Sequence, residues 1–440
     1  MPVPPSQTGV LMTETGSIQP PFERTVLDSG VRVLTSNMPH TGAVSIQVLF
    51  GAGSRYETDE LAGSSHLFEH LLFKGTTKRP TPREISETIE GVGGILNAYT
   101  DREATGYWCK IALTHYKDGL DVLLDMIRDP LFREEDIEKE KKVVFEEIRA
   151  SHDSPEATVD MMMDDLLFPS QPLGRDIAGS VESVEAVRTE SLQAYLRTQY
   201  VASNTIISLA GAVAHDQIVA DVAELMDGFH DGEPAPMFPF VDNLKGPSLR
   251  LQHRDTEQAH MSIGLHGIAA DDDDRYALRL LSTIFGGSMS SRLFEEVREK
   301  RGLAYSIHAG PAHYKDAGSF QISAGVDPQR ATEAIKVIME ELIKLRDGVT
   351  ELEFAKSKAL TKGRILMGME ESRSVAGSIG SQELLLGEVK SVDDVIAEYD
   401  AVEIDQIKAI ANRLIDEDKL VLAAVGPFDS EDIFRPLLTF

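Results

Sequence analysis

The chain has 440 residues, 42% hydrophobic and 26% charged, with a formal net charge of -29 and a single cysteine, Cys109. That length exceeds one ordinary core and predicts two or more domains, while one cysteine excludes an intramolecular disulfide and any cysteine-rich zinc site. The acidic surface disfavours nucleic acid and anionic membranes, and no apolar run reaches bilayer length, so no membrane insertion is expected.

Residues 1–22 are rich in Pro, Ser, Thr and Gly and read as a flexible arm. Met1 to Pro21 holds no basic segment followed by an apolar block, so no secretory signal is expected and cytoplasm is the default compartment. Val31 to Thr35 and Val44 to Phe50 alternate and predict strands. Gly51-Ala-Gly53 then turns the chain toward His66-Leu67-Phe68-Glu69-His70.

Two histidines at i and i+4 lie on one face of a helix, and Glu69 shares that face. Imidazoles at this spacing can hold one divalent ion, and a carboxylate beside them can take a proton from water. The order His-x-x-Glu-His inverts the commoner His-Glu-x-x-His. Gly63, Ser64 and Ser65 precede the motif as a helix start would, with Ser64 or Ser65 as the expected N-cap. Leu67, Phe68, Leu71, Leu72 and Phe73 make the surroundings apolar, where three polar side chains need a partner and a metal is one.

Pro82 to Glu90 predicts a second helix closed by Gly91. Ile95 to Thr100 and Thr105 to Ala112 read as neighbouring strands, and Tyr116 to Ile127 as an amphipathic helix with Leu120, Leu123, Leu124 and Ile127 on one side. Glu134 to Ala150 is a long charged helix on which Glu140, Val143, Val144 and Glu147 share a face. Helices are expected at 157–167, 190–199 and 217–226, and a buried strand at 204–213. The stretch 228–247 carries Pro234, Pro236, Pro239 and Pro247 and is the best linker.

The second half then repeats the first. Met261 to Leu265 corresponds to 44–50, and Tyr276 to Phe285 and Ser288 to Lys300 are helices, the latter expected at the place of the motif helix. Tyr305 to Ala309 and Ser319 to Val326 correspond to the strands 95–100 and 105–112, Thr332 to Arg346 to the helix 116–127, and Leu420 to Gly426 to Ile206 to Gly211. The second copy has no His-x-x-Glu-His. The expected division is an arm (1–22), a metal-binding domain (23–228), a linker (229–247) and a metal-free repeat (248–440). Met161 to Met163 is read as core packing, and Asp271 to Asp274 as a turn with helix-start charge.

With these motifs in view, the chain from about residue 23 onward resembles the inverted-zincin peptidases: pitrilysin, insulin-degrading enzyme and, nearest in size, the mitochondrial processing peptidase and its bacterial relatives. The resemblance implies an α+β fold of two homologous domains, each a mostly antiparallel sheet covered by helices, closing over a central chamber that admits extended peptides. It makes His66 and His70 metal ligands, Glu69 the general base, Glu147 the third ligand and Zn2+ the cofactor, one per chain. Glu146 is the rival for the third place; it lies about 100° round the helix, so both cannot face one ion, and Glu147 is preferred. Glu140 matches a further family glutamate that hydrogen-bonds a ligand imidazole, against the plainer reading of a solvated charge within the run 138–142.

The stretch Ser291 to Ser306 resembles the family's arginine-tyrosine element, which makes Arg298 a substrate-orienting group and Tyr305 an oxyanion stabiliser reaching across to the first domain. Asn97-Ala98-Tyr99 matches the family's substrate-binding edge strand, where a peptide pairs as an extra strand. Some relatives split the two signatures between subunits. Here they share one chain, so a protomer active alone or as a homodimer is expected. The implied activity is zinc-dependent endopeptidase cleavage of oligopeptides or unfolded, presequence-like segments. The alternatives are a catalytically silent subunit, like the core proteins of a respiratory complex, or the active subunit of a heterodimer. Silent relatives typically lose the ligands, and here every ligand position is filled.

Overall fold

The computed structural model describes residues 22–438. The expected arm therefore lies outside the described residues, except Phe22, which is not part of an arm: it opens the first strand, opposite Ser36. The first half runs β1 (Phe22–Val26), β2 (Arg32–Asn37), β3 (Ala43–Phe50), α1 (Ser64–Leu72), α2 (Pro82–Glu90), β4 (Ile95–Thr100) and β5 (Thr105–Ala112). It continues through α3 (Tyr116–Arg128), α4 (Glu134–Asp153), α5 (Pro155–Leu167), α6 (Val181–Ala186), α7 (Thr189–Gln199), β6 (Thr205–Gly211) and α8 (His215–Leu225). The second half runs β7 (Ser248–His253), β8 (Ala259–His266), α9 (Arg275–Phe285), β9 (Ala304–His313), β10 (Gly318–Val326) and α10 (Ala331–Leu345). It closes with α11 (Glu351–Gly368), α12 (Ser372–Leu386), α13 (Val392–Ala401), α14 (Ile404–Leu414) and β11 (Val421–Gly426).

The strands form two sheets, ordered β1-β2-β6-β3-β5-β4 and β7-β11-β8-β10-β9. From β2 and β7 onward the two orders match strand for strand, including one parallel pair each, β2 with β6 and β7 with β11. All other pairings are antiparallel. The predicted repeat is therefore real at the level of topology. β6 (TIISLAG) and β11 (VLAAVG) are buried at every position, as mostly apolar strands covered on both faces should be, and the Thr205 and Ser208 hydroxyls donate to Val201 O and Ala376 O.

The pairing of helices within the repeat differs from the expected one. α9, not the stretch 288–300, stands where the motif helix stands: α9 packs on β9 and α11 as α1 packs on β4 and α4. Of Ser288 to Lys300, residues 292–299 are helical, and Phe294–Glu299 is wound as a π-helix, Lys300 N–H donating to Glu295 O at 2.9 Å. The sheet is covered by the more apolar helix, α9.

The faces are covered reciprocally. The first sheet packs one face on its own helices. Its other face is closed by α12, through Val375, Ala376 and Ile379 against Leu34, Leu49, Ile206 and Ala210. The second sheet is covered by its own α9, α10 and α14, and on its far side by α5 of the first half, where Met162, Met163 and Leu166 meet Val421, Ala423 and Val425. Each Val, Leu, Ile or Met side chain buried there contributes about 1.5–3 kcal/mol. A missing Cβ eases the approach at both crossings: one on Gly380 would come within 2.6 Å of Leu49 Cδ1 and 2.7 Å of Ser208 Oγ, and one on Gly264 within 2.4 Å of Met163 Sδ.

The Pro-rich stretch 228–247 has no helix or strand, yet it is held. Fully buried Arg55 donates from Nε to Phe238 O at 2.9 Å and forms ion pairs with Glu103 of the first half and Asp316 of the second. Phe240 N–H donates to Asp316 Oδ2 at 2.9 Å, and Val241 exchanges hydrogen bonds with the Gln171 amide. None of the helices is long and apolar enough to cross a membrane, among the described residues.

Candidate metal centre

The motif helix starts one residue earlier than expected. Gly63, not Ser64 or Ser65, is the N-cap, in the left-handed region at φ 88°, where a Cβ would come within 2.3 Å of Ala178 O. The capping acceptor comes from outside the helix. Glu57 accepts from Gly63 N–H at 2.8 Å and from Ser65 N–H at 2.5 Å, placing an anion at the positive end of α1. Ser65 Oγ meets Tyr195 OH at 2.8 Å, fixing the first turn against α7. Leu67, Phe68, Leu71 and Leu72 are buried and leave the other face, with His66, Glu69 and His70, turned to α4 and β4.

The His66 and His70 rings stand 4.6 Å apart, edge to face. Glu147 of α4 approaches both: its Oε2 is 3.7 Å from His66 Nε2 and 3.6 Å from His70 Nε2. One donor atom from each of the three lies within 4.8 Å of the others. Glu146 turns away and pairs with Arg149. The two imidazoles are largely shielded, whereas Glu147 is 46% exposed, so the cluster opens to solvent on the α4 side.

Burial, with His70 beside it, pushes His66 down to about 4, so its ring is neutral and its nitrogen lone pair free at neutral pH. Its Nδ1 is buried without a hydrogen-bond partner. A neutral imidazole in a polar cluster, with two imidazole nitrogens and one carboxylate oxygen converging, is the donor set of a three-ligand zinc site. The residues therefore fit the ion.

Around this cluster the structure gathers further groups. Glu140 is buried rather than solvated. Its Oε2 is 3.3 Å from His70 Nδ1, and its Oε1 takes an ion pair from Lys74 at 2.7 Å. Thr100, the last residue of β4, donates from Oγ1 to Glu69 Oε2 at 2.6 Å. Burial raises the Glu69 carboxyl above its usual range, opposed by the Thr100 hydrogen bond and the nearby His70. Thr100, Lys74 and Glu57 had no distinguishing signal in sequence. Thr100 borders the stretch 97–99 singled out above, but only folding brings it to Glu69.

Asn97, Ala98 and Tyr99 lie on β4, which pairs with β5 alone and so forms the sheet's edge. Asn97 Oδ1 accepts from Ala98 N–H at 2.8 Å, and Tyr99 is partly exposed. Arg298 and Tyr305 are brought to each other, the guanidinium 5.6 Å from the Tyr305 ring centre and 4.8 Å from that of Phe294. Tyr305 is 75% exposed at the start of β9, the edge strand of the second sheet that corresponds to β4. Among the described residues, neither makes a hydrogen bond or ion pair to the first half. Of the three methionines expected in the core, Met162 and Met163 are buried there and Met161 is half-buried; Asp272 and Asp274 at the start of α9 pair with Arg413.

Known proteins give this arrangement a lineage. The profile of the insulinase family, peptidase family M16, matches residues 32–181, and that of the peptidase M16 inactive domain matches 186–361. An uncharacterized zinc protease of Bacillus subtilis is 35% identical over 411 residues, 92% of this chain and 98% of its own. A probable mitochondrial-processing peptidase beta subunit of Arabidopsis thaliana is 31% identical over 416 residues, 92% of this chain and 78% of its own. Among solved structures, a protease from Helicobacter pylori has a TM-score of 0.89 at 22% identity, covering 93% of this chain and 100% of that one. A chain of complex III from Candida albicans has a TM-score of 0.80 at 20% identity, covering 95% and 100%. These two show the shared fold alone. The first profile spans His66, Glu69, His70 and Glu147, and the second spans Arg298 and Tyr305. The chain belongs to the insulinase family, peptidase family M16.

Proposed function

We propose that this chain is a zinc-dependent endopeptidase acting on oligopeptides or unfolded segments, with His66, His70 and Glu147 as ligands and Glu69 as general base. The observation that carries the reading is the convergence of the three donor atoms within 4.8 Å, beside a second carboxylate, Glu69, that is not part of the trio. When bound there, zinc supplies Lewis-acid polarisation of a peptide carbonyl and makes water acidic enough to lose a proton near neutral pH.

Glu69 receives that proton and returns it to the leaving amine. Thr100 occupies Glu69 Oε2, which fixes the carboxylate plane and leaves Oε1 for the proton. A carboxyl raised by burial holds the proton long enough to hand it on. Glu140 orients the His70 ring through Nδ1, and Lys74 balances its charge. Substrate backbone pairs along the open edge of β4 at Asn97, Ala98 and Tyr99, which makes binding tolerant of side chains. Arg298 and Tyr305 serve the same peptide from the second half, the arginine orienting it and the tyrosine stabilising the developing oxyanion. The functional unit is a protomer working alone or as a homodimer.

A fluorogenic peptide assay tests the core of this. Cleavage by the full chain should vanish with a chelator and return with stoichiometric zinc. Cleavage that persists in metal-free protein, verified by elemental analysis, would overturn it.

A further inference from the structure

The repeat sets a second cleft at the place where the first half keeps its histidines. It lies between α9, β9 and α11, as the His66 cluster lies between α1, β4 and α4. The cleft is a cavity of about 320 Å3 lined by Arg279, Ser282 and Thr283 of α9, His308 of β9, and Thr361 and Arg364 of α11. No carboxylate lines it, in a chain with 72 acidic residues. Some arginines of the same half are paired, Arg292 with Glu353 at 2.6 Å and Arg413 with Asp272 at 2.7 Å, whereas among the described residues Arg275 and Arg346 bond only neutral groups. Among the described residues, Arg279 and Arg364 have no carboxylate partner.

The floor is already satisfied. Ser282 Oγ donates to Ala309 O at 3.1 Å, and Thr283 Oγ1 donates to Arg279 O at 3.0 Å. Arg364 Nη1 donates to Gly287 O at 3.0 Å, which braces the side chain and leaves its other N–H groups unassigned. Tyr399, also on the cavity wall, places its hydroxyl beside Arg279. What the cleft offers a ligand is thus two guanidinium groups, an imidazole and a phenol. A guanidinium fork matches the paired oxygens of carboxylate or phosphate, and two positive charges sharing a cavity without a counter-charge are relieved by an incoming anion.

We propose that this cavity is an oxyanion subsite in which Arg279 and Arg364 take a carboxylate or phosphate group. A peptide's free C-terminus is the source that fits the neighbouring edge strand β9; that source rests on the endopeptidase reading, whereas the anion site itself does not.

Calorimetric titration of the full chain carrying Glu69→Gln, so that no peptide is consumed, tests both parts. The probes are inorganic phosphate and two peptides alike except for a C-terminal carboxylate or carboxamide. Phosphate should bind, and Arg279→Gln with Arg364→Gln should weaken it about tenfold or more while leaving the thermal midpoint and zinc content unchanged. A carboxylate peptide bound several-fold more tightly than its amide, with the preference lost in the double variant, identifies the peptide terminus. Equal binding of the two peptides beside intact phosphate binding identifies a free oxyanion instead. If the double variant fails to fold, either single variant carries the test with a smaller loss. Phosphate that binds parent and variant alike, or neither, overturns the subsite. That result together with normal peptide hydrolysis by the wild-type chain spares the endopeptidase reading. Phosphate binding without hydrolysis does the reverse.

Discussion

The two clefts share a frame and differ in charge. In the first half a helix, an edge strand and a second helix surround two imidazoles and several carboxylates. In the second half the equivalent elements surround two arginines, a histidine and several hydroxyls, with no carboxylate. The backbone plan therefore decides only that a polar cleft opens beside an edge strand. Whether it suits a cation or an anion is decided by a handful of side chains on the two helices, and a repeated fold can carry two different binding chemistries.

The sharpest break of this contrast is Glu69→Gln. It should lower turnover by roughly 10²–10⁴-fold with zinc content unchanged, measured by peptide cleavage beside elemental analysis. A variant that cleaves as fast as wild type would remove Glu69 from proton transfer. Next in size, Glu147→Gln should weaken zinc binding by more than about 100-fold, beyond the cost of losing an outer partner, while Glu146→Gln leaves it intact. Loss in the latter alone would exchange the two assignments. Arg298→Ala and Tyr305→Phe sharpen the comparison from the other side. Each should lower kcat/KM about 10²-fold without altering metal content. Unchanged kcat/KM would confine the chemistry to the first half.

Much of this plan was legible in the sequence. The i, i+4 histidines fix their own geometry, because helix pitch alone puts them on one face, and the rings do stand together. The choice of Glu147 over Glu146 came from family resemblance, and the 100° between neighbouring helix positions is what makes it exclusive; Glu146 faces Arg149 instead. Most strands showed as short apolar or alternating runs, whereas the order in which they pair, and the polar outer strands β1 and β7, did not. What local pattern could not give were contacts made over long separations. Glu57 caps α1 across a loop, so the serines at the helix start misled. Thr100 meets Glu69 only after β4 lies beside α1. The helices between 346 and 420 had no expected boundaries, because α11 buries only Ser357 and Thr361 fully and α12 faces a sheet from the other half, so neither displays the usual apolar stripe.

The exchange of α5 and α12 has a consequence for how the protein holds together. Each half lends the other a wall, so neither sheet is complete within its own stretch of chain. An isolated half would present a bare apolar face to water and be prone to clump. The Pro-rich tether thus keeps the halves near each other, but the mutual clasp is what unites them. Scission within 228–247 would leave two fragments still embracing, and a gene divided at that place would have to supply both products at once.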